Sequence, residues 1–554
     1  MIVSGNHKAW EIFSVSVILI FALYCGIKSD IYVDDAFITL KYSRNIVEGR
    51  GMVFNQGERI LGVTSPLWCW MNALGFVLFP AGRFGALGCH LLSVISVFGA
   101  ALGFYRLGRE LGWRLAGLIS AIGFCLLPDH ISLFGMEYPL CIWLSLEMLI
   151  AFSRGRRKLA GTLGGLMILA RPDMGVLAFL VFFSEILFFG KAGKPHSMIL
   201  YFLIPFIPGA IFLTLYFGSP IPNTLLSKRT QLEAPGFFWA ETVGVSVWRY
   251  FIVEFLRKGT VEVYLFFAGI ASLFIEGFSR RDFLKTRRGF VCVLVFSWAA
   301  FHVIALHLLK VAFYRWYLYP VWAAVFFGMA AGLHAIVTFA GNMGEKSRSA
   351  GAAVITGIFL MAIVTWQSAW TNNSDGLQKE RYEGYRRIAE RINVDSAGEK
   401  AEALSHEIGT LGFYLGENIK VIDEFFLIGR NPKRPEGRFP NRIELAFQYR
   451  PGFLVENHPF YKGIKDDVRA FQEKRMEEDY RETFTGKDGE KITYIPVLKI
   501  KSDYGIQVLY RITMKNEKPI RTLNFDTLLQ TSNFKLFWVD FVMLCRIVML
   551  NFMI

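Results

Sequence analysis

Two adjacent carboxylates, Asp34 and Asp35, follow directly on an apolar run of the chain. Charge this close to lipid needs a partner or a wet cavity. A carboxylate there can act as a general base or help to hold a divalent cation. One acidic pair is too few ligands to define a metal site, so metal dependence stays open. Neighbouring helical residues point ~100° apart, so the two Asp predict different roles. The plain alternative is structural: Asp34 N-caps a helix running to Glu48, closed by Gly49. That alternative leaves Asp35 unexplained. Further on, Asn55–Gly57 reads as a tight turn. Glu58, Arg59, Thr64 and Ser65 then lie on a loop that must pack near the carboxylates.

Other polar groups stand at the ends of apolar runs. Asp129, His130, Glu137 and Tyr138 form one set, Arg171-Pro172-Asp173 a second, Asn223, Lys228 and Arg229 a third, and Lys310 with Tyr314-Arg315-Trp316-Tyr317 a fourth. Singly, each Arg or Lys is explained as a snorkelling anchor, and Pro172 as a helix breaker. Together they put acidic and basic groups on one side of a membrane, and a basic set suits a phosphate. Gly190–Pro195 lacks the first Gly of a phosphate loop and carries Pro where Ser or Thr is required. No nucleotide cofactor is expected.

The elements that must position these groups are membrane helices. The 554 residues are 53% hydrophobic and 19% charged, against about 45–50% and about 25% in a soluble domain. Apolar runs long enough to cross a bilayer exclude a soluble enzyme. The net charge of +14 does not indicate nucleic acid, because Lys and Arg cluster in short loops between apolar runs. Seven Cys, none in 372–530, give no disulfide framework and no zinc ribbon. About eleven spans are expected: 12–27, 84–104, 115–128, 138–153, 158–170, 173–190, 197–217, 261–277, 289–309, 317–338 and 351–370. Several fall short of the ~20 residues of an ordinary span. With the N-terminus inside, basic clusters at 105–114, 154–158, 191–194, 280–288 and 345–348 all fall inside. Residues 66–80, with Trp68 and Trp70, then lie along the outer surface. Three regions follow: a polytopic helical domain over 1–371, a polar outer α/β domain over 372–530, and an apolar tail over 531–554 that is a surface helix or a twelfth span. Within the outer domain, 381–393 reads as an amphipathic helix, and 403–407, 420–423, 492–500 and 506–513 as strands.

The runs Asp34-Asp-Ala-Phe-Ile-Thr39, Gly51-Met-Val-Phe-Asn-Gln-Gly-Glu-Arg59 and Thr64-Ser-Pro-Leu-Trp68 resemble the first outer loop of the GT-C superfamily. These are polytopic glycosyltransferases that use polyprenyl-phosphate sugars. The resemblance is strongest to the group of the mycobacterial terminal β-(1→2) arabinofuranosyltransferase. Gly135–Tyr138, Ala170–Asp173, Pro222-Asn223, Tyr314–Tyr317 and Glu407–Tyr414 follow in that group's order. The chain departs from the pattern at Met174, where the family has Gly, and in the apolar stretch after Asp423. The resemblance implies inverting transfer of a sugar from a polyprenyl-phosphate donor to a glycan, lipid or protein acceptor of a prokaryotic envelope. The resemblance implies transfer on the outer face of the inner (plasma) membrane. It implies Asp34 as base, with Asp35 binding acceptor or a cation. It implies substrate contacts from Arg59, Thr64, Glu137, Tyr138, Arg171, Asp173, Asn223, Lys228, Tyr314, Arg315, His406 and Glu407, with Arg171, Lys228 and Arg315 facing the phosphate. A transporter of lipid-linked saccharides would instead place charge at mid-bilayer in broken helices. A sensor or scaffold would leave the first-loop carboxylates replaceable.

Overall fold

The structure, a computed structural model, describes residues 7–80, 85–127, 129–189, 196–231, 243–249, 261–279, 285–342, 357, 377–429, 442–459, 482–485, 489–501, 505–512 and 522–524. Six helical runs among them are long and apolar enough to cross a membrane: Lys8–Lys28, Leu87–Glu110, Pro172–Phe189, His196–Phe217, Arg287–Leu308 and Arg315–Ala340. Pro66–Leu78, Arg114–Cys125, Tyr138–Ser153 and Tyr264–Ile275 are apolar but shorter. The eleven expected spans are therefore not all full-length helices. Helix Arg157–Ala170 has 14 residues, about 21 Å at 1.5 Å per residue, less than the ~30 Å hydrocarbon core. It stops where Arg171 turns extended (φ −164°, ψ 128°) ahead of Pro172. The expected span at 351–370, residue 357 apart, and the tail over 531–554 lie outside the described residues.

Small residues let the helices close on one another. A Cβ on Gly161 would stand 2.1 Å from the Met198 carbonyl oxygen, and one on Gly165 2.4 Å from that of Phe202. Other faces stay apolar and uncovered, as at Leu215 and Leu308, which fits lipid contact. At one end of the bundle, ion pairs join three of the basic clusters. Glu110 accepts from Arg154 at 2.9 Å and from Arg288 at 3.1 Å. Glu185 accepts from Arg157 at 2.6 Å and from Arg287. Helix Pro66–Leu78 buries Trp68, Cys69, Asn72, Ala73 and Phe76 and leaves Leu74, Val77 and Leu78 exposed. One buried and one apolar exposed face suit the interfacial position expected of it.

The chain divides into two compact units. The first comprises residues up to Gln378 together with Glu407–Tyr414 and Phe425–Pro440. The second takes Lys379–His406, Leu415–Glu424 and the rest. Its described part is a seven-stranded sheet ordered β2-β1-β3-β6-β5-β4, with β7 paired to β5. The strands are β1 (Ala401–Ser405), β2 (Ile419–Asp423), β3 (Phe453–Pro459), β4 (Glu482–Thr485), β5 (Lys491–Lys501), β6 (Gly505–Ile512) and β7 (Thr522–Asn524). β1 runs parallel to β2 and β3, and β6 antiparallel to β3 and β5. The helix over 377–395 buries Tyr385, Ile388, Ala389 and Ile392, one stripe at helical spacing.

Candidate active site

Helix Asp34–Val47 opens the first loop after the first candidate span. Asp34 is its first residue. The N-cap is Val33, with no side-chain cap bond, so Asp34 does not cap its own helix as expected. Its carboxylate turns to another part of the chain. Oδ2 accepts from the Gly409 N–H at 2.9 Å and Oδ1 from the Thr410 N–H at 2.7 Å. These are the orphan donors at the start of helix Gly409–Tyr414, where an anion is favoured. Phe37, one turn along, meets Phe413 and Tyr414 with ring centroids 5.3 and 6.1 Å apart. The Arg44 guanidinium sits 4.6 Å over the Phe413 ring. Gly49 (φ +77°) ends the helix segment as the sequence predicts. Asn55–Glu58 is the expected turn, with Gly57 at φ +82° and the Glu58 N–H donating to the Asn55 carbonyl at 3.2 Å.

Asp35 faces a different partner. Its Oδ1 is 3.8 Å from Lys228 Nζ, and the Asp35 side chain is 31% exposed. Lys228 comes from helix Asn223–Gln231. Its ammonium lies 3.5 Å from the Tyr314 ring centroid and 4.8 Å from that of Trp316. The two rings stack at 4.5 Å and 12°. Cation, carboxylate and two aromatic faces thus meet at one place, from three distant parts of the sequence. Such a group can hold an anion beside a sugar-sized ring. Trp316 is the member that single-residue reasoning missed, although it lay inside the Tyr314–Tyr317 motif.

Arg171 is used differently. Nε and Nη2 donate to the two oxygens of Asp173 at 2.8 and 2.9 Å, and Nη1 to Glu137 at 2.5 Å and to the Tyr138 hydroxyl at 2.7 Å. The guanidinium also lies 4.9 Å from the Tyr138 ring and 5.5 Å from that of Tyr317. Four expected site residues, Glu137, Tyr138, Arg171 and Asp173, therefore form one buried cluster matched within itself. Arg315 lies within electrostatic reach of Asp129, whose other oxygen contact is Trp322 Nε1 at 3.0 Å. Burial raises the Asp129 carboxyl above the ordinary carboxylate range, against the pull of Arg315 and the Trp322 bond.

The remaining expected residues scatter. Arg59 is exposed, its guanidinium 4.8 Å from the Tyr216 ring. Thr64 and Glu407 are half-buried. His406 belongs to the second unit, 3.9 Å from Glu424. The Asn223 amide donates to the carbonyls of Phe426, Leu427 (3.2 Å) and Gly429 (3.3 Å). Among the described residues, no group of three or more His, Cys, Asp or Glu is placed to hold a metal ion.

No protein-family profile matches the chain. Over 231 residues it is 27% identical to the terminal β-(1→2)-arabinofuranosyltransferase of Mycobacterium tuberculosis, a match covering 38% of this chain and 36% of that protein. The chain thus spans about a third of the length of that relative. In three dimensions it is similar to ArnT from Cupriavidus metallidurans bound to undecaprenyl phosphate. That TM-score is 0.51 at 13% identity, covering 91% of this chain and 98% of that one. The Archaeoglobus fulgidus oligosaccharyltransferase tethered to an acceptor peptide gives a TM-score of 0.54 at 14% identity, covering 82% and 69%. All three relatives are GT-C glycosyltransferases, and this chain has their fold. The resemblance read from the first outer loop and the likeness in three dimensions point to the same superfamily.

Proposed function

We propose that this protein is a membrane glycosyltransferase moving a sugar from a polyprenyl-phosphate donor to a glycan, lipid or protein acceptor of the cell envelope. The observation that carries the reading is the meeting of Asp35 with Lys228, Tyr314 and Trp316 just beyond the first candidate span, next in sequence to an Asp34 carboxylate held by two main-chain N–H groups. Asp34 is the base. Each carboxylate oxygen has two lone pairs, so the main-chain donors fix the group and leave it able to take a proton. The acceptor hydroxyl gives that proton to Asp34 as its oxygen attacks the anomeric carbon from the face opposite the phosphate. The bond from that carbon to the phosphate oxygen breaks, and its electron pair leaves with the polyprenyl phosphate. Lys228 stabilises the growing negative charge. Asp35 orients Lys228 and lines the acceptor side. The residues of the Arg171 cluster hold helix ends together and stay out of the reaction. The site faces outward, with the N-terminus and the basic clusters on the cytoplasmic side of the plasma membrane, and the α/β region lies outside the cell.

The test uses the full chain in nanodiscs. It is offered a set of radiolabelled polyprenyl-phosphate pentoses and hexoses with an envelope extract as acceptor. Transfer of label from at least one donor is expected, lost in Asp34→Asn at matched protein level. Wild-type rates in Asp34→Asn remove it as base; absence of transfer with every donor overturns the reading.

A further inference from the structure

We infer that two short segments beyond residue 400 are positioning devices for the site, with Gly409, Thr410 and Asn223 as the positioning residues. The inference rests on the transferase reading and deepens it. The first segment follows β1 in sequence, and the second follows β2. Both belong to the helical unit.

The first segment acts on Asp34. Two main-chain N–H groups, one to each oxygen, fix the plane of the carboxylate. The approach requires glycine: a Cβ on residue 409 would stand 1.8 Å from the Asp34 carbonyl oxygen and 3.0 Å from its Cγ. The donor at residue 410 is main chain, so the contact needs the N–H and not the Thr410 hydroxyl.

The second segment acts on the helix that carries Lys228. Asn223 opens that helix and donates to the carbonyls of Phe426, Leu427 and Gly429. One turn on, Ser227 Oγ donates to the same Phe426 carbonyl at 3.3 Å. Phe426 has φ +55°, a conformation that a bulky residue holds only when its surroundings impose it. The Asn223 N–H donates to the Leu61 carbonyl at 2.9 Å, which ties the helix to the first outer loop. Gly62, next in that loop, leaves no room for a Cβ between the Tyr42 hydroxyl (2.7 Å) and Ile428 (2.9 Å). The base and the phosphate cation are thus each fixed by contacts from sequence that carries no reacting group. A shift of ~1 Å in such groups can cost a hundredfold in rate.

The experiment combines hydrogen exchange, lipid binding and turnover on the full chain in nanodiscs. Asp34→Ala is expected to raise amide exchange across 407–414 about tenfold, as loss of charged hydrogen bonds predicts; Asp35→Ala is expected to leave it unchanged. Thr410→Pro removes one donor at a position in the first helical turn where proline is tolerated. It is expected to lower kcat about tenfold to a hundredfold with KM for the donor unchanged. Thr410→Ala, which keeps the N–H, is expected to restore kcat. Asn223→Ala is expected to weaken binding of undecaprenyl phosphate about tenfold without loss of folded protein. Wild-type exchange in Asp34→Ala, or wild-type kcat in Thr410→Pro, overturns the first anchor. Wild-type affinity in Asn223→Ala overturns the second. Exchange and affinity need no turnover, so a chain that transfers no sugar sinks the transferase reading and still lets both anchors be judged.

Discussion

The surroundings of Lys228 and of Arg171 are built from the same ingredients, a cation, carboxylates and stacked aromatic rings, and they end in opposite states. Arg171 is buried, and four of its hydrogen bonds run to Glu137, Tyr138 and Asp173. Its planar fork matches carboxylate geometry, so four of its five N–H donors are paired in the buried cluster. Lys228 is held by ring faces and by Asp35 at 3.8 Å, longer than a hydrogen bond. Its point charge is oriented without being consumed, and Asp35 beside it is partly exposed. Residue type does not separate a cation paired within the fold from the one proposed here to meet a ligand. The number of hydrogen bonds already made does.

The contrast can be broken or sharpened by mutation. The largest effect is expected at the carboxylates: Asp34→Asn should lower transfer by about a hundredfold to ten-thousandfold, the usual weight of general-base catalysis, with folded protein retained on size-exclusion chromatography. Next, Arg171→Met leaves Glu137 and Asp173 as uncompensated buried charges and should destabilise the fold by about 3–5 kcal/mol. Loss of folded protein on size-exclusion chromatography checks it, and Arg171→Met with Glu137→Gln and Asp173→Asn should recover part of the loss. Lys228→Met should do the reverse, with folded protein retained and transfer down by about a hundredfold to a thousandfold. If Lys228→Met unfolds the chain while Arg171→Met only slows transfer, the two roles are exchanged. The smallest effect is expected at Arg59, exposed over Tyr216. Arg59→Ala should change transfer by about threefold or less, in line with one exposed cation–π contact.

Much of this was legible in the residues, for reasons that are local. Helix Asp34–Val47, the turn at Asn55–Glu58 and helix Pro66–Leu78 follow from caps, glycines and apolar spacing within a few residues. Strands β1, β2, β5 and β6 were read within two residues of their ends, and the helix over 377–395 was read from its apolar stripe with a start four residues late. β3 and β4 were missed. Phe453–Pro459 is a continuous apolar start followed by polar residues, with no alternation to reveal it, and Glu482–Thr485 is four residues long. Of the expected spans, some are full-length helices and others shorter, and the break read at Arg171-Pro172 is where helix Arg157–Ala170 ends. In the site, the partners of Asp34 and Asn223 lie 375 and about 200 positions away. Capping was weighed for Asp34 as the structural alternative to a base, and its residue type does suit a helix start. The helix it caps is another one.

The two N–H groups that hold Asp34 have a bearing on how the chain is made. A ribosome that has released residues 1–371 has already produced every reacting side chain proposed here. It has not yet produced Gly409 and Thr410. Until then the Asp34 carboxylate lacks the two main-chain donors that hold it in the finished fold.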